Sequence, residues 1–432
     1  MVAETVRPAT DSLGARVRAA RRERGLSQAQ LAGVELTKGF ISQLESGLVR
    51  PSIRSLQVIA NRLGKSLDYF IGDEALSTQK RGEFMELAAQ AAYERRAWDE
   101  LERVSEDALR LEPDTPQRGS FLRWQAMARL GSGDREGALS AAEAALRTLD
   151  PSSDAANVAW ALLVQGSAYL ELGQIAAASQ IFERALTALD SHEVLDARLR
   201  TRLLISLGTA YRRLDRTTKA VQAYESARAM ANRSSDLRSL AQAFMGVAVT
   251  LYDSGELDGA IANYRRALEL FQRVADQDCE LNVLQSLAAV RYEQGNVDEA
   301  QEFARQCRDR ALVVGDEHWA AVADVELARV ALSRRDPAGA LEIASRAEAS
   351  LARSGDVKQR SSAFRAIGAA HHALGQHPLA DGSYQKAIEL ALSVEVYPDA
   401  AQIAAEYAQV LRERGDYERA FEYLELARRH AG

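Results

Sequence analysis

The segment Gly166-Ser-Ala-Tyr169-Leu-Glu-Leu-Gly173-Gln-Ile-Ala-Ala-Ala178-Ser-Gln-Ile-Phe182-Glu-Arg-Ala185 decides the architecture. Its small and aromatic residues stand three or four apart on either side of Gly173. That spacing keeps side chains on one face of a helix. The glycine interrupts the run, so the segment reads as two helices folded back on each other. The same frame returns downstream. Gly166 aligns with Gly208, Ala248, Ala288, Ala328, Gly368 and Ala408, at one interval of 42 residues and then five of 40. The central small residue recurs at Ala178, Ala220, Ala260, Ala300, Ala340, Ala380 and Ala420, and the last at Ala185, Ala227, Ala267, Cys307, Ala347, Ala387 and Ala427. The turn falls at Gly173, Asp215, Gly255, Gly295, Arg335, Gly375 and Gly415. Two weaker units at 82–118 and 119–158 extend the array, giving about nine repeats over 82–432.

Small residues at these points let paired helices cross closely, with Phe182, Tyr224, Tyr264, Tyr384 and Leu424 wedged beside them. The pattern resembles the tetratricopeptide repeat, and the Gly166 unit matches it fully. The resemblance implies an all-α, right-handed superhelical solenoid whose first helices line a concave groove. By that register the wall includes Arg202, Arg212, Gln242, Tyr252, Asn282, Gln285, Tyr292, Arg329 and Arg365, with Trp160, Thr209 and His372 beside them. Taken singly, each reads equally as a solvated polar position. As a set, amides, phenols and guanidiniums favour a peptide or protein ligand over an apolar small molecule.

Ahead of the repeats lies a different pattern. Leu13, Val17 and Ala20 open a helix that Gly25 ends, and Ser27 caps a short second one. Thr37 caps a third from Lys38 to Glu45, stopped at Gly47. Pro51 and Ser52 open a fourth through Ile59 and Leu63, and Leu67, Tyr69 and Phe70 begin a brief fifth. The runs Leu26-Ser-Gln-Ala-Gln-Leu-Ala, Ile41-Ser-Gln-Leu-Glu-Ser-Gly, Pro51-Ser and Ile59-Ala-Asn-Arg-Leu-Gly resemble the phage-repressor, or XRE, helix-turn-helix family. In that family the third helix enters the major groove. The resemblance makes Lys38, Ser42 and Gln43 the candidates to read bases, Gln43 equally a phosphate contact. It makes Gln28, Thr37 at the cap, Arg50, Ser52 and Arg54 candidates to hold the backbone. Glu45 is expected to pair inside the domain with an arginine of the first helix. Gly39 offers no side chain, which shifts weight to dimer spacing and DNA shape.

Charge divides along the same line. Residues 1–72 carry 11 Lys and Arg against 6 Asp and Glu, a formal +5, leaving −12 for the rest of a −7 chain. A basic head on an acidic body suits a phosphate-facing head and a body kept off DNA. The expected division is therefore a disordered tail (1–11), an XRE-type domain (12–72), a linker (73–81) and the repeats (82–432).

Nothing resembles a P-loop, a nucleophile elbow or a metal motif, so no catalytic residues, metal or cofactor are expected. His371 and His372 lie on different helix faces, and Cys279 and Cys307 make neither a disulfide framework nor a ligand spacing. With no apolar leader and no apolar run of membrane-spanning length, a cytoplasmic setting follows. The two halves together resemble the peptide-responsive regulators of Gram-positive bacteria. That implies an operator of two DNA half-sites, a homodimer, and a peptide or protein in the groove. Apolar side chains on the final helix, Phe421, Tyr423, Leu424 and Leu426, mark a candidate dimer contact. The competing reading is a repeat scaffold whose head is vestigial or structural.

Overall fold

The computed structural model describes residues 13–33, 35–49, 51, 53–65, 69–70, 78–394 and 396–430. Among them there are helices and no strands. The head contains α1 (Leu13–Glu23), α2 (Gln28–Ala32), α3 (Lys38–Glu45) and α4 (Ile53–Leu63). Its caps follow local chemistry. Ser27 and Gln30 form a capping box at α2, and the Thr37 side chain accepts from the Phe40 amide at α3. Of the fifth helix, Leu67 lies outside the described residues, while Phe70 is fully buried in the head core.

Nine antiparallel pairs follow: α5 (Thr78–Glu94) with α6 (Trp98–Arg110), α7 (Thr115–Ser132) with α8 (Arg135–Thr148), and α9 (Ala155–Glu171) with α10 (Ile175–Ser191). Then come α11 (Ala197–Arg213) with α12 (Thr217–Arg233), α13 (Leu237–Asp253) with α14 (Leu257–Arg273), and α15 (Gln277–Glu293) with α16 (Val297–Val314). The last are α17 (Glu317–Ser333) with α18 (Pro337–Ser354), α19 (Val357–Ala373) with α20 (His377–Ser393), and α21 (Tyr397–Glu413) with α22 (Tyr417–His430). Thr78–Arg81, placed in the linker by sequence, already belong to α5. The chain divides between Val194 and Leu195 into two compact units.

The repeat frame has a direct physical meaning. All seven turn residues, including Asp215 and Arg335, adopt positive φ. A Cβ built on Gly166 would meet the Phe182 ring at 2.4 Å, and one on Gly208 the Tyr224 ring at 2.8 Å. Those positions are small because an aromatic of the paired helix fills the space. Cys307 occupies one of the small-residue slots, fully buried, and burial pushes its thiol up to about 12. Among the described residues no helix is long and apolar enough to cross a membrane.

Within the first unit, α5 serves two cores. Phe84 is buried among Val17, Ile41, Ile59 and Phe70 of the head, with Met85 and Ala88 against the same cluster. One turn on, Ala89 and Ala92 join the first repeat core, which Met85 also touches. Glu86 Oε1 accepts from Ser120 Oγ (2.8 Å), Arg123 Nη2 (3.1 Å) and Trp124 Nε1 (2.7 Å) on α7. Burial lowers the Arg123 pKa to about 10 despite the Glu86 charge.

Candidate nucleic-acid interface and ligand cleft

Helix α3 is short, eight residues, so its direction depends on what grips it. Ile41 and Leu44 bury its inner face, and Glu45 sits beneath its last turn at 5% exposure. Both Glu45 oxygens are bound by Arg21 of α1, at 2.5 and 2.9 Å. Gln28 of α2 donates to the same carboxylate at 2.9 Å, and Arg18 approaches at 3.6 Å. Burial alone would raise this carboxyl's pKa, but the hydrogen bonds from Arg21 and Gln28 and the nearby arginine charges outweigh it and hold it below the usual carboxylate range. One acid therefore ties three helices together, the intradomain role expected of it.

On the same face of α1, one turn before Arg18, Gly14 lies against the α3 backbone. A Cβ there would meet the Leu44 carbonyl oxygen at 2.4 Å. Arg62 of α4 donates to the Leu31 carbonyl at 2.9 Å, to that of Ala32, and to Glu35 at 2.7 Å, closing the C-terminal end of α2. Neither Gly14 nor Arg62 was singled out from sequence. Their partners stand about 30 residues away, and no local pattern announces them.

With the inner face fixed, Thr37, Lys38, Ser42 and Gln43 are exposed on α3. Thr37 also spends its hydroxyl on the helix cap. Gln28 is half-buried, its amide committed to Glu45. Arg50 and Ser52 lie outside the described residues; the Arg54 backbone belongs to α4, and its side chain lies outside them.

In the second unit, the nine candidate groove residues all lie on first helices of pairs and are half-buried. Among the described residues, four rungs at one repeat position join successive first helices at a constant offset of 41 residues. They are Arg212–Asp253 (2.7 Å), Tyr252–Glu293 (2.5 Å), Tyr292–Ser333 (2.8 Å) and His372–Glu413 (3.7 Å). Burial, with Glu293 beside it, drives the Tyr252 pKa upward.

Tyr292, Arg329 and Arg365 meet in one cleft of about 400 Å³, shared with Glu326 and Glu406. The Arg329 guanidinium lies 4.2 Å from the Tyr292 ring centroid and is paired with Glu326 at 2.8 Å. Burial works against its charge, but Glu326 and Tyr292 more than offset that and its pKa rises. Arg365 pairs with Glu406 at 2.6 Å. Arg202, Gln242, Asn282 and Gln285 lie on the same set of helices outside this cleft, and Arg212 and Tyr252 belong to the rungs. The two glutamates were missed from sequence, because acids on regular helical faces read there as solvated surface.

Comparison with known proteins gives matches in both parts of the chain. A helix-turn-helix family model matches residues 17–70, a MalT-like TPR region model matches 192–357, and tetratricopeptide-repeat models match 161–188 and 359–431. An immunity repressor protein of Bacillus phage phi105 is 31% identical over 74 residues, 17% of this chain. The chain spans about half, 51%, of that relative's length. Among solved structures, the apo form of RapI aligns with a TM-score of 0.64 at 13% identity, covering 82% of this chain and 97% of that one. The apo form of the quorum sensor NprR from B. thuringiensis aligns with a TM-score of 0.62 at 12% identity, covering 82% and 100%. At such identities the likeness is one of fold. The chain carries an XRE-type helix-turn-helix domain at its N-terminus and tetratricopeptide repeats behind it.

Proposed function

We propose that the protein is a sequence-specific DNA-binding transcription regulator whose repeats sense a peptide or protein ligand. The observation that carries this reading is the division of labour on α3. Its buried face is locked by Glu45, Arg21 and Gln28, while Lys38, Ser42 and Gln43 stand exposed together. A rigid helix presenting amine, hydroxyl and amide groups can meet donors and acceptors in the major groove. Lys38 suits guanine O6 and N7, and Gln43 suits adenine or a phosphate. Thr37, Gln28, Arg50, Ser52 and Arg54 are the proposed backbone contacts, and the formal +5 of residues 1–72 supports that assignment.

The reading takes the protein to work in the cytoplasm as a homodimer on two half-sites. The α22 face bearing Tyr417, Phe421 and Leu424, 51–70% exposed, supplies a candidate contact; Tyr423 and Leu426 instead pack against the last repeat core. A Phe421→Glu/Leu424→Glu variant should run as a monomer in light scattering, and an unchanged dimer removes that face from the assignment. Ligand control then acts by population shift between head arrangements.

The test is binding to the DNA upstream of the protein's own gene across a salt series, beside random duplex. Wild type should prefer the upstream DNA and weaken as salt rises. A Lys38→Ala/Gln43→Ala variant should lose the preference while keeping weak, salt-sensitive binding. Equal binding of both proteins to both duplexes overturns the reading.

A further inference from the structure

Repeats supply an internal control, because counterparts 40 residues apart occupy the same place in the stack. Where α17 carries Glu326 and α21 carries Glu406, the other first helices of the unit carry Ser206, Gly246, Ser286 and Ala366. Counterparts of Arg329 are Thr209, Val249, Ala289, Ala369 and Gln409. Those of Arg365 are Ile205, Met245, Gln285, Val325 and Ala405. Stacking therefore accepts small or uncharged groups at all three positions. Four charged side chains depart from that pattern, and all four line the one cleft.

Their hydrogen bonds define what the cleft lacks. Glu406 accepts from the Tyr384 hydroxyl (2.9 Å) on one oxygen and from Arg365 Nε (2.6 Å) on the other. Both oxygens of Glu326 accept from Arg329 Nη1, at 3.0 and 2.8 Å. The acids are thus occupied, and the guanidiniums are not. Among the described residues, Arg329 hydrogen-bonds through Nη1 and Arg365 through Nε and Nη1, the latter to Gln402 at 3.3 Å. Nε and Nη2 of Arg329 and Nη2 of Arg365 remain as donors, with Ser362 beside them. Half-buried guanidinium donors around a volume of about 400 Å³ call for a small, planar, charged acceptor.

We propose that this cleft is a carboxylate-binding site, with Arg329 and Arg365 donating to the ligand and Glu326 and Glu406 holding the guanidiniums in place. The four charges cancel, so a diffuse attraction for anions is absent and recognition rests on geometry. The carboxylate is either the end of a peptide or that of a small organic acid. The first case rests on the ligand-sensing reading given above and deepens it.

The test is calorimetric titration of the full-length protein at fixed ionic strength. One pair of probes is N-acetyl-tetraalanine as free acid and as carboxamide; the other is benzoate and benzamide. At least one acid should bind in the millimolar range, about tenfold or more tighter than its amide. Arg365→Met and Arg329→Gln should each abolish that preference. Glu406→Gln should reduce it at an unchanged melting temperature, an effect that a merely structural role would not produce. Preference confined to the peptide pair assigns the site to a peptide end, and preference in the benzoate pair assigns it to a small acid. The proposal is overturned if neither acid outbinds its amide on wild type, or if the preference survives both arginine substitutions. In that event the charges are ion-pair staples between repeats. No DNA enters the titration, so failure here and failure of the operator-binding test are separate results.

Discussion

At 5% exposure the Glu45 carboxylate lies between Arg21, Gln28 and Arg18, and its loss would leave the largely buried Arg21 guanidinium without its charge partner. Glu45→Ala should cost about 2–4 kcal/mol of head stability, read by denaturant titration. The pH dependence has a definite sign. A carboxyl whose pKa falls on folding contributes stability above its unfolded value, about 4.3, and loses it as pH drops through the folded value. Acid unfolding of the head below about pH 4.3 should therefore be shallower in Glu45→Gln than in wild type. Gly14 presents the opposite case, a place where adding atoms does harm. Gly14→Ala forces a methyl into the Leu44 carbonyl, costing about 1–3 kcal/mol and weakening DNA binding although residue 14 touches no proposed contact.

At the scale of the helix, the second unit carries a device that the sequence half revealed. Asp196, Asp236, Asp276, Asp316 and Asp356 stand 40 residues apart, and each accepts from the backbone amide three residues on, at the start of a first helix. Asp236→Ala should cost about 1 kcal/mol by thermal unfolding, and the same change at Asp316 or Asp356 should cost the same. Directly before four of these caps the chain turns through positive φ, at Gly315 and Gly355 but also at Ser235 and Ala275. Ala275→Gly should therefore stabilise the chain by up to about 1 kcal/mol, the reverse of glycine's effect inside a helix. Three of these loops announce themselves through serine, glycine and aspartate. The two others, Leu195-Asp196 and Ala275-Asp276, have neither serine nor glycine before the aspartate and pass unnoticed. Caps and turns are legible because their partners lie within four residues. Glu326 and Glu406 depart from the residues at their repeat position, but what they do there depends on the cleft that four separate helices assemble.

Over the chain as a whole, the boundary drawn from composition at residue 72 and the boundary drawn from packing differ. Phe84, Met85 and Ala88 belong to the first repeat by register, yet they complete the head core. Burying a phenylalanine contributes about 1.5–3 kcal/mol. A fragment of residues 1–94 should accordingly melt several degrees above one of residues 1–72 in a calorimeter, and equal melting would show the contact to be energetically idle. Because α5 also holds α7 through Glu86, the head and the first repeats share a structural member.

The constant spacing of caps and rungs has a consequence for the gene. Removing residues 237–276 would join Asp236 to Gln277, so that the old cap serves the next helix and Arg212 meets Glu293 in place of Asp253. Unequal crossing-over within this stretch of coding sequence can thus shorten or lengthen the array by whole units while every junction stays chemically complete. The number of capped pairs in the second unit becomes a quantity that recombination can change in steps of one repeat.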